Sequence, residues 1–155
     1  MSVVKKIDQD MIAAMKARDA ERLLTIRMMK TALKNKEIEK REPLTDAEAY
    51  AILTTMIKQR RDSIEQFTKG NRPELAAKEA AEITLIEHYL PKEAGEEEIR
   101  ALVTATIAEL AASGSEPGPK EMGIVMKAVQ EKIKTAGVRA DGRVVSEMVK
   151  ARLAK

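Results

Sequence analysis

Apolar residues recur every three or four positions along most of this chain, and that spacing predicts amphipathic helices. The first stretch places Val4, Ile7, Met11 and Ala14 on one face. Six further stretches have the same period. The predicted helices cover approximately residues 2–17, 19–40, 45–69, 71–90, 95–110, 119–133 and 141–153. The pattern therefore predicts an all-α protein.

Helix boundaries are marked by residues that cap or interrupt helices. Asp19 and Asp141 stand where an N-cap is expected, and Thr45 with Glu48 forms a capping-box pattern. Asn71 with Glu74 is interpreted as the start of the fourth helix. Pro119 suits the first position of the sixth helix because its missing N–H group costs nothing there.

Pro91 ends the fourth helix and marks the predicted boundary between two lobes. The predicted lobes are an N-terminal four-helix lobe, residues 1–91, and a C-terminal three-helix lobe, residues 92–155. The net charge also changes along the second lobe. Residues 91–118 carry −4, whereas residues 119–155 carry +5. This concentration of positive charge is typical of a surface that binds a polyanion.

Composition argues against several classes of site. The chain has no cysteine and a single histidine, His88, and it contains no glycine-rich phosphate loop. We therefore predict no autonomous active site, no metal and no cofactor, although whether the protein is an enzyme stays open. The absence of cysteine is compatible with a reducing cytosol, so a cytoplasmic location is expected. No apolar signal segment or membrane-spanning run is apparent.

Basic residues on the second and third helices allow two interpretations. Arg27, Lys30, Lys34 and Arg41 form a stripe on the second helix, and Arg61 lies in a cationic run on the third. These groups either bind phosphates or make ordinary ion pairs along the helix surface, and the stripe alone favours ion pairs. Arg60 differs, because it falls on the apolar stripe itself. We predict that Arg60 is buried and bonded to a carboxylate or to carbonyl groups.

The turn before the last helix carries two arginines, Arg139 and Arg143, on either side of the predicted cap Asp141. Backbone N–H groups at a helix start favour an anion, and guanidinium groups match phosphate oxygens. The turn is therefore a candidate phosphate-binding site, while a capped surface turn with two solvated arginines is the alternative. Neither arginine lies on an apolar stripe, so their removal is expected to leave folding unaffected.

Several stretches together resemble the GatB/YqeY family of small bacterial proteins over nearly the whole chain. The motif-bearing stretches are residues 27–33, 58–67, 87–91, 120–126 and 139–145. The resemblance implies that the C-terminal lobe is similar to the tail domain of the tRNA-dependent amidotransferase B subunit, which contacts the tRNA elbow. It also implies a family link to carbon–nitrogen ligases that use glutamine as amido-nitrogen donor. The large catalytic cradle of that subunit has no counterpart in this chain.

The leading hypothesis is a non-catalytic protein that binds tRNA or a tRNA-bound synthetase or amidotransferase complex. The alternatives are a protein–protein adaptor without an RNA role and an accessory factor of a glutamine-dependent ligase. The predicted RNA-binding residues are cations from both lobes. They are Arg139, Arg143, Lys120, Lys127, Arg27, Lys30 and Arg61. One departure concerns the turn from Gly137 to Gly142, which is one residue longer than the tighter family pattern.

Overall fold

The computed structural model describes residues 2–114 and 116–154, and the predicted all-α class is confirmed. Seven α-helices cover most of the described chain, with one 3-10 turn, Pro119–Glu121, and two strands of two residues each. The helices are α1 Val3–Ala17, α2 Ala20–Lys40, α3 Asp46–Lys69, α4 Pro73–Glu87, α5 Glu96–Ala112, α6 Met122–Thr135 and α7 Gly142–Leu153. The strands are β1 Lys92–Glu93 and β2 Val138–Arg139.

The chain divides into two compact units between Leu90 and Pro91. Helices α1 to α4 form the first unit and the remaining elements form the second. Each unit has its own core, because every helix has one apolar face to bury. No helix in the described residues is both long enough and apolar enough to cross a membrane.

Side-chain caps begin the first three helices, and the caps at Asp19 and Thr45 are those that the sequence predicts. The Ser2 hydroxyl accepts from the Lys5 N–H group, and an Asp19 carboxylate oxygen accepts from the N–H group of Arg22. Thr45 accepts from the Glu48 N–H group at 3.2 Å. The Glu48 carboxylate itself is bound by Lys40 at 2.7 and 2.9 Å. Hydrogen bonding from Lys40, with a smaller contribution from Thr45, lowers the pKa of Glu48.

The predicted start of the fourth helix was placed too early. Helix α4 begins at Pro73, after Arg72, which makes no side-chain cap. Asn71 has φ +57°, a left-handed conformation that asparagine tolerates and that ends α3 instead of starting α4. Proline at the first helical turn then fixes the beginning of α4.

Arg60 is buried as predicted, with 6% of its surface exposed. Its Nε donates to a Glu82 carboxylate oxygen at 2.9 Å, which joins α3 to α4. Its Nη1 donates to the Met56 carbonyl at 3.3 Å, and its Nη2 lies 3.6 Å from the Met28 sulfur. Glu82 is also buried, so the two charges compensate each other inside the N-terminal unit.

The C-terminal unit packs three helices around Val103, Val125, Val129, Val145 and Val149. Gly95 precedes α5, whose first turn carries Glu96, Glu97 and Glu98 at the positive end of the helix dipole, as predicted. The predicted sixth helix starts with the 3-10 turn at Pro119, where Glu121 accepts from the Gly118 N–H group at 2.8 Å. The regular α-helix begins only at Met122.

Strands β1 and β2 pair in parallel, a feature that the sequence did not predict. Lys92 lies opposite Val138 and Glu93 opposite Arg139. The Ala94 N–H group then donates to the Arg139 carbonyl at 2.8 Å. The segment that follows Pro91 is therefore fixed to the turn between α6 and α7.

Replacing Arg60 with methionine is expected to destabilise the protein by about 3–5 kcal/mol, because Glu82 would then be a buried carboxylate without its partner. The double variant Arg60→Met with Glu82→Leu removes both charges and is expected to recover most of this loss. Urea unfolding followed by circular dichroism measures both changes.

The neighbouring Arg61 provides a matched control, because it is exposed and its ion pair with Glu87 spans 3.6 Å. Arg61→Met is expected to change the unfolding free energy by less than about 1 kcal/mol. Equal losses for Arg60→Met and Arg61→Met would show that the buried pair has no special role.

Candidate nucleic-acid interface

Helix α6 presents lysines on the face that points away from its core. Val125, Val129 and Ile133 form the buried face of α6. Lys127 and Lys134 are seven residues apart on the exposed side, so they lie on one face about 10 Å apart. Lys120 is exposed in the 3-10 turn that leads into the same helix. The unit thus has a row of positive charge along α6.

Helix α7 has a similar pair, Arg143 and Lys150, again seven residues apart and exposed. Arg143 is the more exposed of the two turn arginines, with 87% of its side chain accessible, and it makes an ion pair with Glu147 at 3.4 Å. A pair this exposed contributes little and leaves the guanidinium accessible to another anion.

Lys120, Lys127, Lys134 and Lys150 make no ion pair or side-chain hydrogen bond with any other residue that the structure describes. Six of the ten aspartate and glutamate side chains of the unit precede the 3-10 turn, and among these Glu96 pairs with Arg100 and Glu109 with Lys132. Glu121 caps the 3-10 turn, and Glu131 on α6 and Glu147 on α7 are exposed beside the cations. The positive charge on α6 and α7 is therefore only partly neutralised within the unit, which is the condition for binding an external polyanion.

The start of α7 is less open to an anion than the sequence suggests. Asp141 caps α7 as predicted, and its carboxylate accepts from the Arg143 N–H group at 2.8 Å. The carboxylate already occupies part of the site that a phosphate would use and repels a second negative charge. The geometry therefore favours the side-chain cations as phosphate contacts over the backbone N–H groups at the start of α7.

Arg139 has contacts that the sequence did not indicate. Its Nε donates to the Pro91 carbonyl at 3.1 Å, and its Nη2 lies 3.8 Å from a Glu93 carboxylate oxygen. Only 23% of the side chain is exposed. Arg139 thus holds β1 against β2, and the expectation that its removal leaves folding unaffected does not fit this geometry. Its contact with RNA stays a prediction.

The turn from Gly137 to Gly142 contains the second short strand. Gly137 has φ +70°, which glycine adopts without strain, and the chain then enters β2 at Val138. Val138 packs against the core of the unit while its backbone pairs with Lys92. The turn therefore holds the segment after Pro91.

The three residues of the N-terminal unit that the sequence predicts to bind RNA are mostly engaged in ion pairs. Lys30 pairs with Asp8 at 2.8 Å, and Arg61 pairs with Glu87 at 3.6 Å. Arg27 is exposed on α2 without an ion pair to another described residue. Lys34, from the same basic stripe, pairs with Glu37 at 3.6 Å. Ion pairs within the unit thus account for Lys30, Lys34 and Arg61. Only Lys34 pairs along its own helix, as the alternative interpretation expected, and the other two pairs join neighbouring helices.

Within the described residues, no group of three or more histidine, aspartate or glutamate side chains is arranged to hold a metal ion. His88 is exposed and packs its ring edge-on against Tyr89. The Tyr89 hydroxyl donates to Asp10 at 2.6 Å, and burial together with Asp10 raises the pKa of Tyr89 well above its usual range. These contacts position a helix end and do not form a nucleophile–base pair.

Two cations absent from the predicted set, Lys134 and Lys150, join the candidate interface. The seven-residue spacing to Lys127 and Arg143 was visible in the sequence and is the signal that could have identified them. No pattern in the sequence indicated the contacts of Arg139, because its partners Pro91 and Glu93 lie 48 and 46 residues away.

Arg139→Ala is expected to lower the unfolding free energy by about 1–2 kcal/mol through the lost charged hydrogen bond to Pro91. Arg143→Ala removes only an exposed pair and is expected to cost less than about 0.5 kcal/mol. Thermal and urea unfolding of both variants make the comparison. A neutral Arg139→Ala variant would show that the strand pairing holds without this side chain.

Asp141→Ala is expected to cost about 1 kcal/mol, because the Arg143 N–H group loses its acceptor at the start of α7. Asp141→Asn keeps a capping oxygen and should retain most of the stability. Equal losses for the alanine and asparagine variants in urea unfolding would contradict the capping role.

Comparison with known proteins gives both fungal relatives and a family. The chain is 32% identical over 155 residues to "Altered inheritance of mitochondria protein 41, mitochondrial" of Lachancea thermotolerans, covering 98% of this chain and 79% of the relative. The protein of the same name in Kluyveromyces lactis is 38% identical over 69% of this chain and 60% of its own length. That of Pyrenophora tritici-repentis is 29% identical over 95% of this chain and 78% of its own.

These names contradict the prediction of a cytoplasmic location, because they call the relatives mitochondrial. The prediction rested on the absence of cysteine, which excludes disulfides but does not distinguish one reducing compartment from another. The relatives are fungal, so they give no support to the expectation of a bacterial protein either.

The family comparison covers nearly all of the chain. The model described as "Yqey-like protein" matches residues 4–153, which include every helical core residue of both units except Val3. This agrees with the resemblance carried by the five motif-bearing stretches. The chain belongs to the Yqey-like protein family.

Proposed function

We propose that this protein is a non-catalytic helical protein that binds tRNA, or a tRNA-bound synthetase or amidotransferase complex, through its C-terminal unit. The observation that carries the proposal is the row of exposed lysines on α6, with Lys120, Lys127 and Lys134 making no ion pair with another described residue. Arg143 and Lys150 on α7 add two exposed cations.

The composition of the unit restricts how it would recognise RNA. All three aromatic residues of the chain, Tyr50, Phe67 and Tyr89, precede Pro91, so the C-terminal unit has no ring on which a base could stack. Recognition would therefore use the phosphate backbone and the shape of a folded RNA. Tight packing of the three helices fixes the spacing of the cations, and a rigid spacing favours a folded RNA over a flexible strand.

The triple variant Lys120→Ala, Lys127→Ala and Lys134→Ala is expected to weaken tRNA binding. It should also reduce the magnitude of the slope of log K against log salt by about two to three units, since each lost phosphate contact removes about 0.7–0.9. Filter binding or gel shift at several salt concentrations measures both quantities. The three side chains are exposed, so unfolding should be unchanged.

A matched control replaces three exposed lysines of the N-terminal unit, Lys5, Lys16 and Lys78, with alanine. This variant has the same net charge as the first but keeps the α6 row. Equal affinities and slopes for the two variants would leave only a general charge effect and would reject the C-terminal interface. A transamidation or glutaminase activity in the pure protein would contradict the non-catalytic part of the proposal.

A further inference from the structure

Helix α2 has a second apolar face that the other helices of the N-terminal unit leave exposed. Its inner face buries Ile26, Met29 and Leu33 in the core of the N-terminal unit. Its opposite face presents residues spaced alternately four and three apart, which we call the outer face. The outer face consists of Leu24, Met28, Thr31, Asn35 and Ile38.

Three large apolar side chains of this face are exposed along one line. Leu24 is 49%, Met28 41% and Ile38 64% exposed. Spacings of four and three residues place side chains in one narrow stripe, as in the contact line between two helices of a coiled coil. From Leu24 to Ile38 the stripe is about 21 Å long, which is four turns of helix.

The two polar members of the stripe are compatible with burial against a helix. The Thr31 hydroxyl donates to the Arg27 carbonyl at 2.9 Å within its own helix. Its hydrogen bond is thus already made, and the methyl group is left to pack. Asn35 stands near the middle of the second half of the stripe. A single asparagine at such a position costs stability but fixes the register of the partner helix.

One flank of the outer face is cationic from Arg27 onward. Arg27 and Lys34 lie along that side at seven-residue spacing, and Arg41, at the same spacing, stands at the end of the helix as its left-handed C-cap. Lys34 has only an exposed pair with Glu37 at 3.6 Å, and Arg27 and Arg41 make no ion pair with another described residue. The other flank carries Ala32 and Glu39, and Glu39 is paired with Lys36 at 3.2 Å.

This charge pattern discriminates between possible occupants. In an antiparallel pair of two copies, the cationic flank would face itself and repel. In a parallel pair it would face Ala32 and Glu39, which offer one carboxylate for three cations. RNA would satisfy the cations but would cover Leu24, Met28 and Ile38 with a charged backbone. A helix with an apolar stripe and acidic residues along its edge satisfies both features.

We propose that the outer face of α2 docks an amphipathic helix of a partner protein, whose apolar stripe covers Leu24, Met28 and Ile38 and whose acidic flank meets Arg27, Lys34 and Arg41. This surface lies in the N-terminal unit and does not depend on RNA binding by the C-terminal unit.

The experiment uses the full chain and two synthetic helical peptides of about four heptads. Both peptides have leucine in the contact stripe, with one asparagine to face Asn35. One carries glutamate on both flanks and the other carries lysine, so repulsion between like charges keeps each peptide from pairing with itself. The complex is expected to be weak, so NMR titration of the protein with each peptide up to millimolar concentration measures the two affinities.

The glutamate peptide is expected to bind about tenfold more tightly than the lysine peptide, since three exposed charge pairs contribute modestly each. The double variant Arg27→Glu with Lys34→Glu is expected to reverse this preference. Leu24→Ser with Ile38→Ser should abolish binding of both peptides. All four side chains are exposed on α2, and thermal unfolding confirms that each variant remains folded.

Equal binding of the two peptides, or binding of neither, would overturn the proposal. Sedimentation equilibrium provides a further test, because a dimer of the parent protein that Leu24→Ser with Ile38→Ser dissociates would make this face a contact between two copies. A loss of tRNA affinity in Arg27→Glu with Lys34→Glu as large as that of the triple lysine variant would assign the face to RNA instead.

Discussion

The C-terminal unit depends on the link between the segment after Pro91 and the turn before α7. That segment is held against β2 by two paired residues, by the Ala94 N–H group and by the Arg139 guanidinium. Without this link the buried side chain of Ala94 would lose its place, and α5 would begin from an untethered chain. Arg139 is engaged in this link and largely covered. Of the two turn arginines, Arg143 is therefore the one whose guanidinium stays mostly exposed.

Hydrogen bonds and ion pairs within each unit distinguish the cations that already have a partner from those available to another molecule. Arg60, Lys30 and Arg139 each have a carboxylate or carbonyl partner within their own unit. The exposed lysines of α6 have none among the described residues. A basic stripe in a sequence does not make this distinction, because helices pack carboxylates from distant segments against it.

Features set within a few residues could be predicted from the sequence, whereas long-range contacts could not. The caps at Asp19, Thr45 and Asp141 follow from local hydrogen bonding, and Arg60 followed from its position in a helical stripe. The identity of its partner, Glu82, required the packing of α3 against α4. The β1–β2 pairing joins residues 46 positions apart, and neither two-residue strand has a periodic signal of its own.

The outer face of α2 carries too little apolar area for permanent association. Leu24 and Met28 are already about half buried and Ile38 about one-third buried, so covering them contributes about 1 kcal/mol each from this side. A partner stripe of similar size would contribute a comparable amount, whereas association itself costs at least about 4 kcal/mol. The free energy of binding that is left corresponds to a weak, reversible complex. In such a complex the cationic flank contributes more to the choice of partner than to affinity. Asn35 inside the stripe agrees with a weak complex, because an asparagine between two helices lowers their affinity while it fixes their register.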